Sequence, residues 1–298
     1  MSLSKRTFML IPLALAAAQL QAQEQPPVTA VPVAPGVAML MGPGGNIGVS
    51  SGKDGIFLID DQVAPVTEQI RAALRTIGDG PVRFVLNTHW HPDHTGGNEK
   101  LGSAGALIVA HENVRTRLSV DQFIEALNMS APALPESALP VVTFSDAVTF
   151  HLNGDEIKAF HVPPAHTDGD AIVHFRSANV IHAGDTYFNG LYPLIDLSSG
   201  GSVDGTIAAA NQMLALADDD TKIIPGHGPL SNKQELVAYR DMLVTVRDRI
   251  RQAIAQGKTL EQVVAANVSK EYDEKWGKAF IPPELFVKMM YKGVASSK

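Results

Sequence analysis

The apolar positions along the chain change rhythm several times, and each change marks an element. From Val37 onward, short β-branched runs at Val37–Met41, Ile47–Ser51 and Ile56–Asp60 are separated by the glycine-rich turns 42–46 and 52–55, a hairpin pattern. Val66, Ile70, Leu74 and Ile77 then recur at helical spacing, with Gly78 placed as a C-terminal cap. Arg83–Asn87 and Leu107–Ala110 read as buried strands. A second strand series follows at Val141–Phe144, Val148–Leu152, Ile157–Val162, Ile172–Phe175 and Val180–Ala183. Val203, Ile207 and Leu214 share one helix face, and Lys222–Pro225 is a last short strand. Ser231, with Gln234 three residues on, offers a capping box for a long amphipathic helix from Asn232 to Ile254. The tail holds shorter helical pieces broken by Pro282 and Pro283. Between the two strand series, Ser119–Met129 reads as helical and residues 131–140 as a proline-stiffened loop, either a lid or a plain surface connection. Strands followed by helices, twice over, predict an α/β fold: a four-layer αββα sandwich of two mixed β-sheets with outer helices.

The first residues break this pattern. Lys5 and Arg6 precede an apolar run from Phe8 to Ala18 and small residues at Ala18 and Ala22, the layout of a signal peptide. The run is shorter than the roughly 20 residues a membrane span needs. The expected organisation is therefore a signal peptide over 1–22, an extended Gln- and Pro-rich leader over 23–36, a catalytic domain over 37–230 and a C-terminal helical extension over 231–298 packed on the same domain. The expected location is the periplasm or the exterior. Composition narrows the chemistry. With 45% hydrophobic residues in 298, the chain can bury a core, and a formal charge of -7 argues against a nucleic-acid partner. Cysteine is absent, so disulfides, thiol nucleophiles and thiolate metal sites are excluded, and any metal must be held by imidazole and carboxylate.

The segment Asn87-Thr-His89-Trp-His91-Pro-Asp93-His94-Thr-Gly-Gly97 begins where an apolar strand ends. In extended backbone, residues two apart point the same way, so His89 and His91 can share one ion. A tightening toward helix lets Asp93 and His94 face a second. Three further candidates stand at strand ends before glycine-containing turns: His166 in His-Thr-Asp-Gly-Asp, Asp185 in Gly-Asp-Thr, and His227 in Pro-Gly-His-Gly. Rigid elements can aim all of them into one cleft.

In that order, the motifs H-x-H-x-D-H, H-T-D-G-D, G-D-T and P-G-H-G resemble the metallo-β-lactamase superfamily of binuclear metallohydrolases, over about Val37 to Leu230. The resemblance implies the metallo-β-lactamase fold, His89, His91 and His166 on a first Zn²⁺, and Asp93, His94 and His227 on a second. Asp185 would bridge both, and iron or manganese are alternative metals. It further implies a metal-activated hydroxide as nucleophile, oriented by Asp93. The substrate would be a small molecule, anionic by charge complementarity, cleaved at a cyclic amide, lactone or thioester bond, with weak β-lactamase activity as a side reaction. An aspartate at 185, where the zinc β-lactamases have cysteine or lack the bridge, is more like the glyoxalase II, lactonase and phosphodiesterase branches. An iron-dependent oxidoreductase or a phosphodiesterase is the alternative on the same scaffold, and a non-catalytic metal-binding module ranks last. Trp90, Tyr187, Phe188, Asn189 and Tyr192 are the candidate substrate contacts, Asp168 or Asp170 candidate partners for His166, and turn 42–46 a candidate flap. Lys233 is a candidate substrate-binding cation, with helix surface as the alternative. The sequence leaves the oligomeric state open.

Overall fold

The computed structural model describes residues 26–296; the expected signal segment at 1–22 lies outside the described residues. The chain lays down β1 (Thr29–Ala34), β2 (Val37–Met41), β3 (Ile47–Gly52), β4 (Gly55–Ile59), α1 (Thr67–Ile77), β5 (Val82–Asn87), α2 (Pro92–Thr95), α3 (Asn98–Ser103), β6 (Leu107–His111) and α4 (Glu112–Leu118). A small hairpin, β7 (Gln122–Ile124) and β8 (Met129–Ala131), precedes β9 (Val142–Phe144). Then come β10 (Ala147–Leu152), β11 (Asp155–His161), β12 (Ala171–Phe175), β13 (Val180–His182), α5 (Val203–Leu216), β14 (Lys222–Ile224) and β15 (Ser231–Asn232). Four helices close the chain: α6 (Lys233–Ala255), α7 (Leu260–Ala265), α8 (Lys270–Trp276) and α9 (Pro283–Ser296). One sheet runs β1-β2-β3-β4-β5-β6-β9 and the other β10 to β15 in sequence order.

Period-two alternation assigns the faces. In β4, Phe57 and Ile59 point between the sheets, where they meet Ile157, Val173 and Phe175. Their neighbours Ile56 and Leu58 point outward and are covered by Ile70 and Leu74 of α1. Across the second sheet, Ile172, Ile181 and Ile223 are covered by Ala210, Leu243 and Met290 of α5, α6 and α9. Strands covered on both faces read as nearly continuous apolar runs, which is why they stand out in the sequence. Helix, sheet, sheet, helix is the expected four-layer sandwich.

Three local expectations are corrected. Residues 29–34, read as part of an extended leader, form the edge strand β1, paired antiparallel with β2. Its Val31 and Val33 close the inter-sheet core, and Pro32 is tolerated because an edge strand needs no donor on its open side. Ser119–Met129 is not a helix. The helix there is α4, which ends at Leu118, and the chain then turns through Asn128, left-handed at φ 50°, to make the β7–β8 hairpin. The cap of α6 is Asn232, whose side chain accepts from Glu235 N, while Ser231 bonds the Tyr187 hydroxyl instead. Among the described residues, no helix is long and apolar enough to cross a membrane.

The C-terminal helices share the core of the second sheet's outer face: Trp276, Ile281 and Phe286 are buried with Ile181 and Ile223. Arg247 and Arg251 of α6 pair with Asp204 of α5, and Arg249 with Glu271 of α8.

Candidate metal centre

The site forms where β5, β13 and β14 end at one edge of the sandwich. After β5 the chain bends at Thr88 and His89, His91 is extended, and Pro92 then opens the single turn of α2, which carries Asp93 and His94. Asn87 locks this bend: its side-chain amide and that of Asn98 bond each other reciprocally at 3.1 and 2.9 Å, and Asn87 Nδ2 reaches His94 O. His166 stands on a turn whose backbone N–H groups, at 166 and 167, donate to Asp170 Oδ2 at 2.6 and 2.9 Å. Asp185 follows β13 in a single 3-10 turn, and His227 follows β14. Glycine is required between them: a Cβ on Gly226 would sit 2.0 Å from Asp185 Oδ1.

The result is two contiguous groups. His89, His91, His166 and Asp185 each offer a ligand atom within 4.8 Å of the others, and so do Asp93, His94 and His227. Asp185 faces both groups. Its carboxylate oxygens lie 3.8 Å from His89 Nε2, 3.5 Å from His166 Nε2, 3.1 Å from His94 Nε2 and 3.4 Å from His227 Nε2. His227 Nε2 is also 3.3 Å from Asp93 Oδ2.

The fit to cations rests on which nitrogens are free. His166 Nδ1 is 2.7 Å from Leu194 O, and a carbonyl only accepts, so Nδ1 carries the proton and Nε2 presents a lone pair inward. His91 donates Nε2–H to Asp196 Oδ2 at 3.1 Å, leaving Nδ1 inward, 2.8 Å from His166 Nε2. Thr88 Oγ1 donates to Asp60 Oδ2 at 2.8 Å and so accepts from His89 Nδ1, which frees His89 Nε2. That atom and Asp185 Oδ1 are buried with no hydrogen-bond partner. Inward lone pairs crowded against one carboxylate are a set of donors for a divalent cation, and imidazole with carboxylate suits Zn²⁺.

Electrostatics agree. Burial, and then the neighbouring imidazole of His94, holds His89 well below the ordinary histidine range, and burial pushes His166 down to about 4. Burial would lower His94 and His227 too. The Asp185 and Asp93 carboxylates override it, raising His94 well above its usual value and His227 to about 9. Burial alone would raise Asp185, yet the imidazoles of His94 and His227 pull it well below the carboxylate range. The second group attracts positive charge.

Two partners of the histidines have no signal in the sequence. Asp60, at the end of β4 and left-handed at φ 65°, is fully buried and holds both His94 Nδ1, at 2.8 Å, and Thr88. Asp196, buried in a loop, holds His91 and is itself gripped by Ser199 Oγ at 2.5 Å. Each follows an apolar stretch and reads as an ordinary turn aspartate. The expected partners of His166 act differently: Asp170 caps the turn, and Asp168 forms a two-pronged pair with Arg117, both bonds 2.7 Å.

The aromatic candidates separate. Tyr187 is buried with its hydroxyl on Ser231 Oγ, Asn189 bonds Pro229 O and Glu235, and Tyr192 bonds Asp273 Oδ1 and stacks on Phe286. These three tie residues 187–192 to the C-terminal helices. Phe188, fully buried, stacks against the His227 ring at 5.0 Å, and Trp90 meets His91 edge-on at 4.6 Å. Turn 42–46 is pinned, not a free flap: Gly45 N donates to Asp93 O, and Asn46 Nδ2 to Pro225 O and Gly228 O. Lys233 lies 4.0 Å from Asp219 on the surface of α6. His111, His151, His161, His174 and His182 stand outside both groups.

Comparison with known proteins agrees with this geometry. The chain is 26% identical over 189 residues to a hydroxyacylglutathione hydrolase of Polaromonas sp., covering 60% of this chain and 61% of that one. It is 27% identical over 150 residues to the protein of the same name from Pelagibacter ubique, covering 49% of this chain and 52% of the relative. The chain thus spans about half to three-fifths of the length of these relatives. Among solved structures, a metallo-beta-lactamase from Pontibacter korlensis superposes with a TM-score of 0.58 at 20% identity, over 72% of this chain and 98% of that one. A stereoselective inverting sec-alkylsulfatase from Pseudomonas sp. superposes with a TM-score of 0.65 at 16% identity, over 89% of this chain and 50% of the other. The family model for the metallo-beta-lactamase superfamily matches residues 45–227, and the chain belongs to that superfamily.

Proposed function

We propose that this protein is an exported binuclear zinc hydrolase that cleaves a carboxyl-derived bond, with thioesters and lactones ahead of β-lactams. The observation that carries the reading is Asp185, whose carboxylate lies 3.1 to 3.8 Å from four imidazole nitrogens of both groups. In this reading His89, His91 and His166 would hold one ion and Asp93, His94 and His227 the other, with Asp185 within reach of both groups. Such a pair supplies a water nucleophile at neutral pH and polarises a carbonyl oxygen.

The chain's own residues do the rest. Asp60, Asp196 and Leu194 O fix the ring orientations, so the donor atoms need no rearrangement when ions arrive. Asp93 is the most open of the acidic donors, its side chain 35% exposed against 4% for Asp185. Before an ion binds, the imidazoles of His94 and His227 outweigh the effect of burial and hold its carboxyl well below the usual range, and a bound cation would do the same once those imidazoles are neutral ligands, so Oδ2 is an acceptor at neutral pH. From that place it would accept a hydrogen bond from the attacking water and orient it. Trp90 and Phe188 keep bulk water from the histidine faces. The thioester preference follows the hydroxyacylglutathione hydrolase relatives and the aspartate at 185. Weak β-lactam turnover is compatible with the same centre.

The test is hydrolysis of thioester, lactone and β-lactam panels by purified protein, with metal content measured in parallel. Chelator-sensitive turnover with about two zinc ions per chain supports the reading; no chelator-sensitive turnover on any panel defeats it. Export rests on residues 1–22 alone, and N-terminal sequencing of protein from a periplasmic fraction checks it.

A further inference from the structure

The donor cluster is closed on most sides. The side chains of His89, His91, His94, His166 and Asp185 are at most 4% exposed, whereas Asp93 is 35% and His227 16% exposed. A substrate therefore enters past Asp93 and His227. The residue waiting there is Phe280, from the loop between α8 and α9. Its ring centroid is 5.7 Å from that of His227 and 6.1 Å from Phe188, which itself stacks on His227. Phe280 is 50% exposed. Among the described phenylalanines, the other exposed one is Phe123, on the β7–β8 hairpin.

The loop is built to hold this ring out. On one side Trp276 is buried, and its carbonyl accepts from Tyr192 N at 2.8 Å. On the other, Ile281 is 1% exposed and Pro283 starts α9. Tyr192 also bonds Asp273 Oδ1 and stacks on Phe286 at 4.0 Å, so it clamps both flanking helices. A stiff loop whose ends are buried, with one apolar ring left half in water beside the opening, leaves surface to be covered by something apolar.

Resting on the hydrolase reading, we propose that Phe280 is a specificity-determining residue that packs against an apolar alkyl or aryl group of the substrate, next to the bond cleaved at His227's side of the centre. The substrate class is then an ester or thioester with a hydrophobic substituent of several carbons. The C-terminal extension, beyond the span that the family model matches, supplies this wall.

Two arms test it on metal-loaded full-length protein. In the first, kcat/KM is measured on esters and thioesters whose acyl and alkyl chains run from two to eight carbons. Wild type should gain about two- to fourfold per methylene, the scale of burying one CH₂. Phe280→Ala should lose most on the longest members and least on the shortest, chiefly through KM, and Phe280→Leu should retain much of the slope. In the second, linear carboxylates of the same lengths are titrated calorimetrically, and the affinity slope should flatten in Phe280→Ala with metal content unchanged. A uniform loss across chain lengths, or an undiminished slope, overturns the inference while the hydrolase reading stands. Absence of turnover in wild type defeats that reading, and the carboxylate slope then decides the role of Phe280 by itself.

Discussion

Gly45→Ala tests the geometry with a single methyl. Turn 42–46 lies directly on His94: a Cβ at residue 45 would be 2.1 Å from His94 Cε1 and 2.3 Å from Nε2. Ordinary carbon contact begins near 3.4 Å, so either the ring or the turn must retreat by more than an ångström. Neither is free to do so. The ring is fixed by Asp60 at 2.8 Å, and the turn by Gly45 N to Asp93 O at 3.0 Å, Asn46 N to Gly226 O at 2.7 Å and Gly44 N to Gln62 Oε1 at 2.9 Å. Gly45 is not among the residues with positive φ, so alanine adds no backbone strain and the effect isolates the clash. Overpacking of this kind costs about 1–3 kcal/mol of stability. A displacement near 1 Å in a reacting constellation costs roughly 10²-fold in rate. The expected result is a correspondingly lower denaturant midpoint, weakened binding of one of two metal equivalents and kcat reduced about 100-fold. Metal stoichiometry and turnover within about threefold of wild type would refute the placement of His94 beside this turn.

Further predictions follow from the partners of the ring nitrogens and from the clamp on the C-terminal helices. Asp60→Asn puts an amide donor either at Oδ2, against both His94 Nδ1–H and the Thr88 hydroxyl, or at Oδ1, against the Thr88 backbone N–H, and metal affinity by chelator competition should fall about 10- to 100-fold; unchanged affinity would deny Asp60 its orienting role. Tyr192→Phe removes the hydroxyl that bonds Asp273 and should cost about 1 kcal/mol in urea denaturation while turnover stays near wild type, whereas a selective loss of substrate affinity would return Tyr192 to the substrate site. Metal removal should lower thermal stability, because ions bind the folded donors and not the unfolded chain: with free metal at about 100 times Kd the difference is roughly 2.7 kcal/mol. A melting temperature indifferent to chelator would contradict that linkage.

The layered fold was legible because its central strands are apolar on both faces, whereas α1 was marked by the one-sided spacing of Val66, Ile70 and Leu74. The donor residues were legible as types because His89, His91, Asp93 and His94 cluster in one segment and the others follow strand ends. Asp60 and Asp196 were not, since what distinguishes them is a ring nitrogen brought to within 2.8 and 3.1 Å by the tertiary fold. Of the aromatic residues after Asp185, Phe188 reaches the site, stacked on His227, and the two tyrosines do not. Tyr187 and Tyr192 turn their hydroxyls to Ser231 and Asp273, and the ring that reaches the opening, Phe280, comes from far along the chain. The hairpin at 122–131 was hidden by an apolar spacing that also suits a helix, and only pairing between Gln122 and Ala131 decides between them.

Whether the seven donors hold a pair of zinc ions is settled by anomalous diffraction from crystals of the protein as purified, recorded on both sides of the zinc edge. Two peaks are expected, one at about 2.0–2.2 Å from His89 Nε2, His91 Nδ1 and His166 Nε2, the other among Asp93, His94 and His227, with Asp185 touching both. Well-ordered donors without a peak between them, or a single ion bound elsewhere, would contradict a binuclear centre.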